Sequence, residues 1–360
     1  MSKLSFPGLG IGEYEINKVA LSLFDGKVEI RWYAVIITLG IVLAALYVWF
    51  RFKENGLKGN DFLDLAIWVI ISGIIGARLY FIIFKLNDYI VTSYDNFFQN
   101  LGESLKRMVD VASGGLAIYG GVIAGGLAAF FVAKRKKLNI FQILDFLAPA
   151  VMMAQALGRW GNYFNIEAFG AVTDAPWRMC SPVVANYLYN GDQIDLETKG
   201  KILTGELGVH PTFFYESMWN LIGFLAIVLI FVTIKKTKKL HKFHGQLFYS
   251  YLIWYGLGRL WIEGLRTDSL YLIPNVIRVS QLVALISFLA GTALMVLSFV
   301  LLKKKKEVFF ARPIKYGADG RIIKDEQADK KEQSEEKENG TNNKRKTSVP
   351  KRKRKSKKRN

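Results

Sequence analysis

Long apolar runs dominate this chain, and short stretches crowded with charge separate them. A helix needs about 20 mostly apolar residues to cross a bilayer. Seven segments reach that length: 32–50, 63–84, 112–133, 140–158, 212–234, 246–264 and 279–302. Polar residues interrupt the fourth and sixth near their ends, and no heptad or fixed repeat runs through any of them. Gly73 with Gly76, and Gly120-Gly121 with Gly125-Gly126, predict helices that approach closely in lipid.

The basic residues set the expected orientation. Arg51, Lys53 and Lys58 follow the first run, and Lys134 to Lys137 follow the third. Lys235, Lys236, Lys238, Lys239 and Lys242 follow the fifth, and Lys303 to Lys306 the seventh. The alternate loops, 85–111, 159–211 and 265–278, are longer or far less basic. An odd number of spans with every second loop basic predicts an outside N-terminus and a cytoplasmic C-terminus. The expected fold class is an all-α polytopic membrane protein with seven transmembrane helices.

Composition refines this picture. The chain has 360 residues, is 51% hydrophobic and carries a net charge of +19. Residues 303–360 hold 22 Lys and Arg against 9 Asp and Glu, so 13 of those net charges lie in the tail. A segment this polar cannot bury enough apolar surface to fold and is expected to be disordered, a solvated tail with no specific nucleic-acid partner. The N-terminus has no basic stretch feeding an apolar run, so no cleavable signal peptide is expected. Cys180 is the sole cysteine, which excludes an intrachain disulfide and a Cys-based metal site. His241 and His244 lie in a lysine-rich loop and are expected on a solvated face, while His210 has no visible partner.

An ionised side chain inside a bilayer is costly and usually marks binding or transfer. Arg78 interrupts the second run in Gly76-Ala77-Arg78-Leu79-Tyr80, and the third run opens Ser113-Gly114-Gly115 and continues to Tyr119-Gly120-Gly121. The fourth ends Gly158-Arg159-Trp160-Gly161-Asn162-Tyr163-Phe164-Asn165-Ile166-Glu167-Ala168-Phe169-Gly170. The sixth carries Tyr255, Arg259, Glu263 and Arg266. Arg259 and Glu263 are four residues apart and share a helix face, and a self-satisfied ion pair explains them in part. A guanidinium nevertheless offers five donors, more than one carboxylate can occupy, which leaves capacity for a phosphate. In 158–170 the glycines predict a break in the helix that exposes backbone N–H groups. A capped helix end would explain one asparagine there, not an arginine, two asparagines and a glutamate together. Arginines converging near the outer leaflet point to a phospholipid headgroup.

At these residues the chain resembles the bacterial prolipoprotein diacylglyceryl transferases over about residues 7–302. The most specific match is 158–170, against the pattern G-R-x-G-N-F-x-N-x-E-x-[WFY]-G. Arg31-Trp32-Tyr33, Gly120-Gly121, His210-Pro211-Thr212 with Tyr215-Glu216, Tyr255 with Arg259, Glu263 and Arg266, and Ser280-Gln281 support it. The resemblance implies a multi-pass enzyme of the bacterial cytoplasmic membrane, with residues 1–302 as its catalytic domain. Its partners would be phosphatidylglycerol and prolipoprotein signal peptides that carry a lipobox cysteine. The diacylglyceryl group would pass to the cysteine thiol, a thioether would form and glycerol-1-phosphate would leave, with no metal or soluble cofactor.

On this reading Arg159 and Arg259 stabilise the leaving phosphate. Glu167 and Glu263 hold the arginines, or one of them accepts the thiol proton. Asn162, Asn165, Tyr33, Tyr255, Arg266, Gly170 and Arg78 complete the lipid-binding set. Two positions depart from the family pattern. Tyr119 stands where a histidine, a favoured base, is usual, and a phenol with a pKa near 10 is a poor base at neutral pH. Phe213-Phe214 replaces the usual Gln-Leu. The alternative reading is a transporter or channel for an anionic solute. A metal-dependent phosphatidyl-alcohol transferase is the weakest reading, because no Asp cluster occurs in the spans.

Overall fold

A computed structural model describes residues 2–315, apart from 25, 27, 94–95, 111–113, 234–237, 268–270 and 274–276. The basic tail beyond 315 and Ser113 lie outside the described residues. The chain divides into two units, Met1–Pro313 and Ile314–Asn360, and the first contains every element named below.

The first unit is mostly helical. Its long helices are α1 (Trp32–Glu54), α2 (Gly59–Phe84), α5 (Ile118–Arg135), α6 (Ile140–Asn165), α9 (Thr212–Ile227), α10 (Gln246–Leu265) and α11 (Val279–Lys303). Shorter helices are α3 (Leu86–Tyr89), α4 (Phe97–Val109), α7 (Pro182–Asn190) and α8 (Leu196–Thr204). Among the described residues, six helices are long and apolar enough to cross a membrane: α1, α2, α5, α6, α11, and α9 with its π-helical extension to Thr233. The sixth expected span corresponds to α10, which is not among them. Its glutamine, serine, tyrosines and tryptophans, together with Arg259 and Glu263, lower its mean hydropathy too far.

The mostly helical body agrees with the expected class, and among the described residues it also carries four antiparallel two-stranded sheets. They pair β1 (Ser2–Phe6) with β2 (Ile11–Ile16), β3 (Val19–Leu23) with β4 (Val28–Arg31), β5 (Val172–Thr173) with β6 (Gly208–Val209), and β7 (Tyr271–Ile273) with β8 (Ile277–Arg278). A small core of Leu4, Ile16, Met179, Val184, Leu188, Ile202 and Val209 joins β1, β2, α7, α8 and β6. Ser5 and Cys180 exchange main-chain bonds of 2.9 Å at its edge.

Small residues set the helix contacts. Gly76 of α2 faces Gly120 of α5 so closely that a Cβ on Gly76 would lie 2.6 Å from the Gly120 carbonyl oxygen. Gly256 of α10 meets the Ala284 carbonyl of α11 in the same way. Where backbones touch like this, a methyl group would force the helices apart.

Asp145 of α6 is buried, and four donors converge on it. Its Oδ1 accepts from the Leu247 and Phe248 amides at 2.9 and 3.0 Å, and its Oδ2 from the Gly245 amide at 2.7 Å. The carboxylate thereby caps the N-terminus of α10, where free N–H groups and the helix dipole favour negative charge. His241 Nε2 completes the set at 3.0 Å, so this histidine is buried on a carboxylate and not on a solvated face. Replacing Asp145→Ala strands three amides and the imidazole, and is expected to destabilise the protein by about 3 kcal/mol. Thermal unfolding in detergent, scored as a lowered midpoint, checks this.

Candidate active site

The residues singled out in α6 and α10 meet at one end of the bundle, and a carboxylate from α9 joins them. Helix α6 does not break at its glycines. It runs through Gly158 and Gly161 to Asn165. Those glycines admit α1 instead: a Cβ at Gly161 would lie 2.7 Å from the Tyr33 ring, and one at Gly158 would lie 3.2 Å from Ile37. With the helix unbroken, Arg159 and Asn162 stay one turn apart, and Arg159 Nη1 donates to Asn162 Oδ1 at 3.4 Å.

The reversal comes at Ile166 and Ala168, with φ of 53° and 55°. Left-handed backbone at a β-branched residue is uncommon and persists only where the surroundings enforce it. Here it folds Glu167 back over the last helical turn. Glu167 Oε1 accepts from Asn162 Nδ2 at 2.9 Å and from Asn165 Nδ2 at 3.1 Å, and its side chain stays exposed. Glu167 therefore reaches Arg159 only through Asn162.

The carboxylate that holds Arg159 directly is Glu216 of α9. Its Oε2 pairs with Arg159 Nε, and its Oε1 with Arg259 Nη1. Arg259 Nη2 also pairs with Glu263 Oε2 at 2.6 Å, so the spacing of four residues on α10 does form an ion pair. The result is a ladder, Arg159–Glu216–Arg259–Glu263, drawn from three helices. Glu216 and Glu263 are almost fully buried, with side chains 6% and 2% exposed, while that of Arg159 is 26% exposed. Each arginine commits two of its five N–H donors to these partners and keeps the others available.

In the sequence Glu216 stands within the Tyr215-Glu216 match, and its further signal is that of a carboxylate in the otherwise apolar run 212–234, as Arg78 and Arg259 are charges in theirs.

Further expected residues ring the ladder. Tyr33, Tyr255, Arg266 and Glu263 lie within electrostatic reach of Arg159, and Tyr119 and Arg266 within reach of Arg259. Gly170 bridges Arg266 in a β-type pair and donates its amide to the His210 carbonyl at 2.8 Å. A Cβ at Gly170 would lie 2.8 Å from the Leu265 carbonyl, so only glycine lets the loop pass beside the end of α10. His210 gains a partner the sequence did not reveal: its Nδ1 lies 3.0 Å from Tyr215 Oη, which accepts from Trp177 Nε1 at 2.6 Å. Burial lowers the pKa of the His210 imidazole and favours its neutral form. Arg78 is not brought into the ladder. Its guanidinium donates to the main-chain carbonyls of Arg107, Met108, Asp110, Gly114 and Gly115.

Comparison with known proteins identifies the family. The family model described as prolipoprotein diacylglyceryl transferase matches residues 18–297. A relative from Enterococcus faecalis named phosphatidylglycerol–prolipoprotein diacylglyceryl transferase is 38% identical over 290 residues, covering 78% of this chain and 90% of its own. Relatives of the same name from Finegoldia magna and Streptococcus pneumoniae are 36% and 40% identical. They cover 81% and 80% of this chain, and 98% and 96% of their own. With its six apolar helices, this is a multi-pass membrane protein. A family model spanning most of the chain and relatives aligned over nearly their whole length lead to one assignment: the chain belongs to the prolipoprotein diacylglyceryl transferase family.

Proposed function

We propose that this protein transfers the diacylglyceryl group of phosphatidylglycerol to the lipobox cysteine thiol of prolipoproteins in the bacterial cytoplasmic membrane. The observation that carries the reading is Glu216 held between Arg159 and Arg259, which sets two guanidinium groups side by side with donors to spare. In the reaction a C–S bond forms at the glyceryl carbon and the C–O bond to phosphate breaks. Glycerol-1-phosphate leaves with the bonding electrons, and the thiol gives up its proton. Negative charge grows on the leaving phosphate oxygens, where preorganised cationic donors lower the barrier most. Arg159 and Arg259 fill that role. Glu216 and Glu263 keep them fixed and offset their charge.

Glu263 lies buried behind Arg259, and Glu216 is locked between two arginines. Of the carboxylates considered, Glu167 alone is exposed, and both of its amide contacts fall on Oε1. It is the carboxylate best placed to accept the thiol proton, with Tyr119 orienting lipid or thiol. Asn162, Asn165, Tyr33, Tyr255, Arg266 and Gly170 shape the headgroup pocket. In this reading the topology has seven spans, α10 crossing with the other helices, with the site toward the outer face and the C-terminus cytoplasmic; the alternation of basic and non-basic loops in the sequence supports it.

Purified protein supplied with labelled phosphatidylglycerol and a lipobox peptide is expected to move label to the peptide. Arg259→Ala should lower that transfer about 100-fold while the protein still folds, and full activity in the variant would remove the phosphate anchor from the mechanism. Glu167→Gln should lower kcat by about 100-fold while KM for phosphatidylglycerol stays within about 2-fold. An unchanged kcat would exclude Glu167 as the proton acceptor. A chain ending at Lys315 should retain full transfer, measured in the same assay. Uptake of an anionic solute by proteoliposomes without lipid turnover would overturn the assignment as a transferase.

A further inference from the structure

The geometry points to Arg78 as a positioning residue that acts through Tyr119 and does not itself bind lipid; this rests on the transferase reading. Arg78 lies in a membrane-spanning helix and is 5% exposed, yet no carboxylate pairs with it among the described residues. All five of its N–H donors are used. Nε donates to the Met108 carbonyl at 2.8 Å. Nη2 donates to the Arg107 and Asp110 carbonyls, each at 2.8 Å. Nη1 donates to the Gly114 and Gly115 carbonyls at 2.5 and 3.1 Å. The first three acceptors are carbonyls at the C-terminal end of α4, which a helix leaves unsatisfied and where its dipole favours a cation. A guanidinium whose donors are all taken has none left for a phosphate.

The other two acceptors explain what the clamp controls. Gly114 and Gly115 have φ of 92° and 78°, and a Cβ on Gly115 would lie 2.6 Å from Arg78 Nη1. Immediately beyond them the Ala117 amide donates to the Ala77 carbonyl at 3.0 Å, beside Arg78 in the chain, and Gly120 packs against Gly76. Tyr119 lies between these two fastenings, on the first turn of α5, within electrostatic reach of Arg259 and Tyr255. The Arg78 clamp, the Ala117 bond and the glycine contact therefore fix the start of α5, and with it the direction in which Tyr119 meets the site. Lysine keeps the charge but cannot make this planar five-donor pattern.

The test uses the full chain in the lipid-to-peptide assay. Arg78→Lys and, independently, Gly115→Ala should each lower kcat about 10-fold while KM for phosphatidylglycerol stays within about 2-fold. In a Tyr119→Phe background, itself impaired, Arg78→Lys should change kcat by less than about 2-fold, because both changes remove one effect. A tenfold rise in KM at constant kcat would mean that Arg78 binds lipid directly and would overturn the inference. So would multiplicative losses in the double variant, full activity in Tyr119→Phe, or full activity in both single variants. A spin label on Tyr119→Cys in a Cys180→Ser background reads position without any turnover. Arg78→Lys and Gly115→Ala should mobilise the label, and unchanged spectra would refute the clamp even if the chain transferred no lipid at all.

Discussion

The ion-pair ladder through Glu216 is the interaction on which the rest of the site depends. An isolated charge in an apolar bundle costs several kcal/mol or more, so two arginines and two carboxylates persist there only by satisfying one another. Alternating their signs across α6, α9 and α10 holds three helices in register at one end. The same alternation leaves each arginine with N–H groups that neither carboxylate occupies. One arrangement thus serves both the stability of this end of the bundle and the phosphate binding proposed for it.

Close backbone contact supplies the rigidity that such a ladder needs. Gly161 and Gly158 let α1 lie against α6 and bring Tyr33 to the ladder, while Gly256 seats α11 against α10. The left-handed turn at Ile166 and Ala168 returns Glu167 over Asn162 and Asn165 and ends α6 without letting the chain leave the site. At the opposite end of α10, the Asp145 carboxylate satisfies the helix N-terminus with charge drawn from α6. Both ends of α10 are therefore tied to the same neighbouring helix, by carboxylate–amide bonds at one end and through Glu216 at the other.

Two kinds of buried arginine emerge. Arg159 and Arg259 pair with carboxylates and keep donors free, whereas Arg78 gives every donor to main-chain carbonyls. Counting donors separates a group able to bind a ligand from one that shapes the protein around it. Hydropathy cannot make that separation, because both kinds interrupt an apolar run in the same way.

Apolar run length, by itself, determined the membrane-crossing class, because the thickness of a bilayer sets the length of a helix that crosses it. Spacing on a single helix determined the pair of Arg259 with Glu263, and the Gly158–Gly170 motif marked the dense end of α6. The buried His241 was not legible, since its partner Asp145 lies 96 residues away in the chain; most of the hairpins and the His210–Tyr215 contact are local, but a pattern of long apolar runs passes over such short elements. Glu216 stood in view as a carboxylate in an apolar run, but its two partners come from α6 and α10, and only packing brings three helices to one carboxylate. The glycines of 158–161 read as a helix break because glycine is flexible in isolation. The tertiary structure decided instead that they are points of approach for α1, since the absent side chain matters most where another helix already lies.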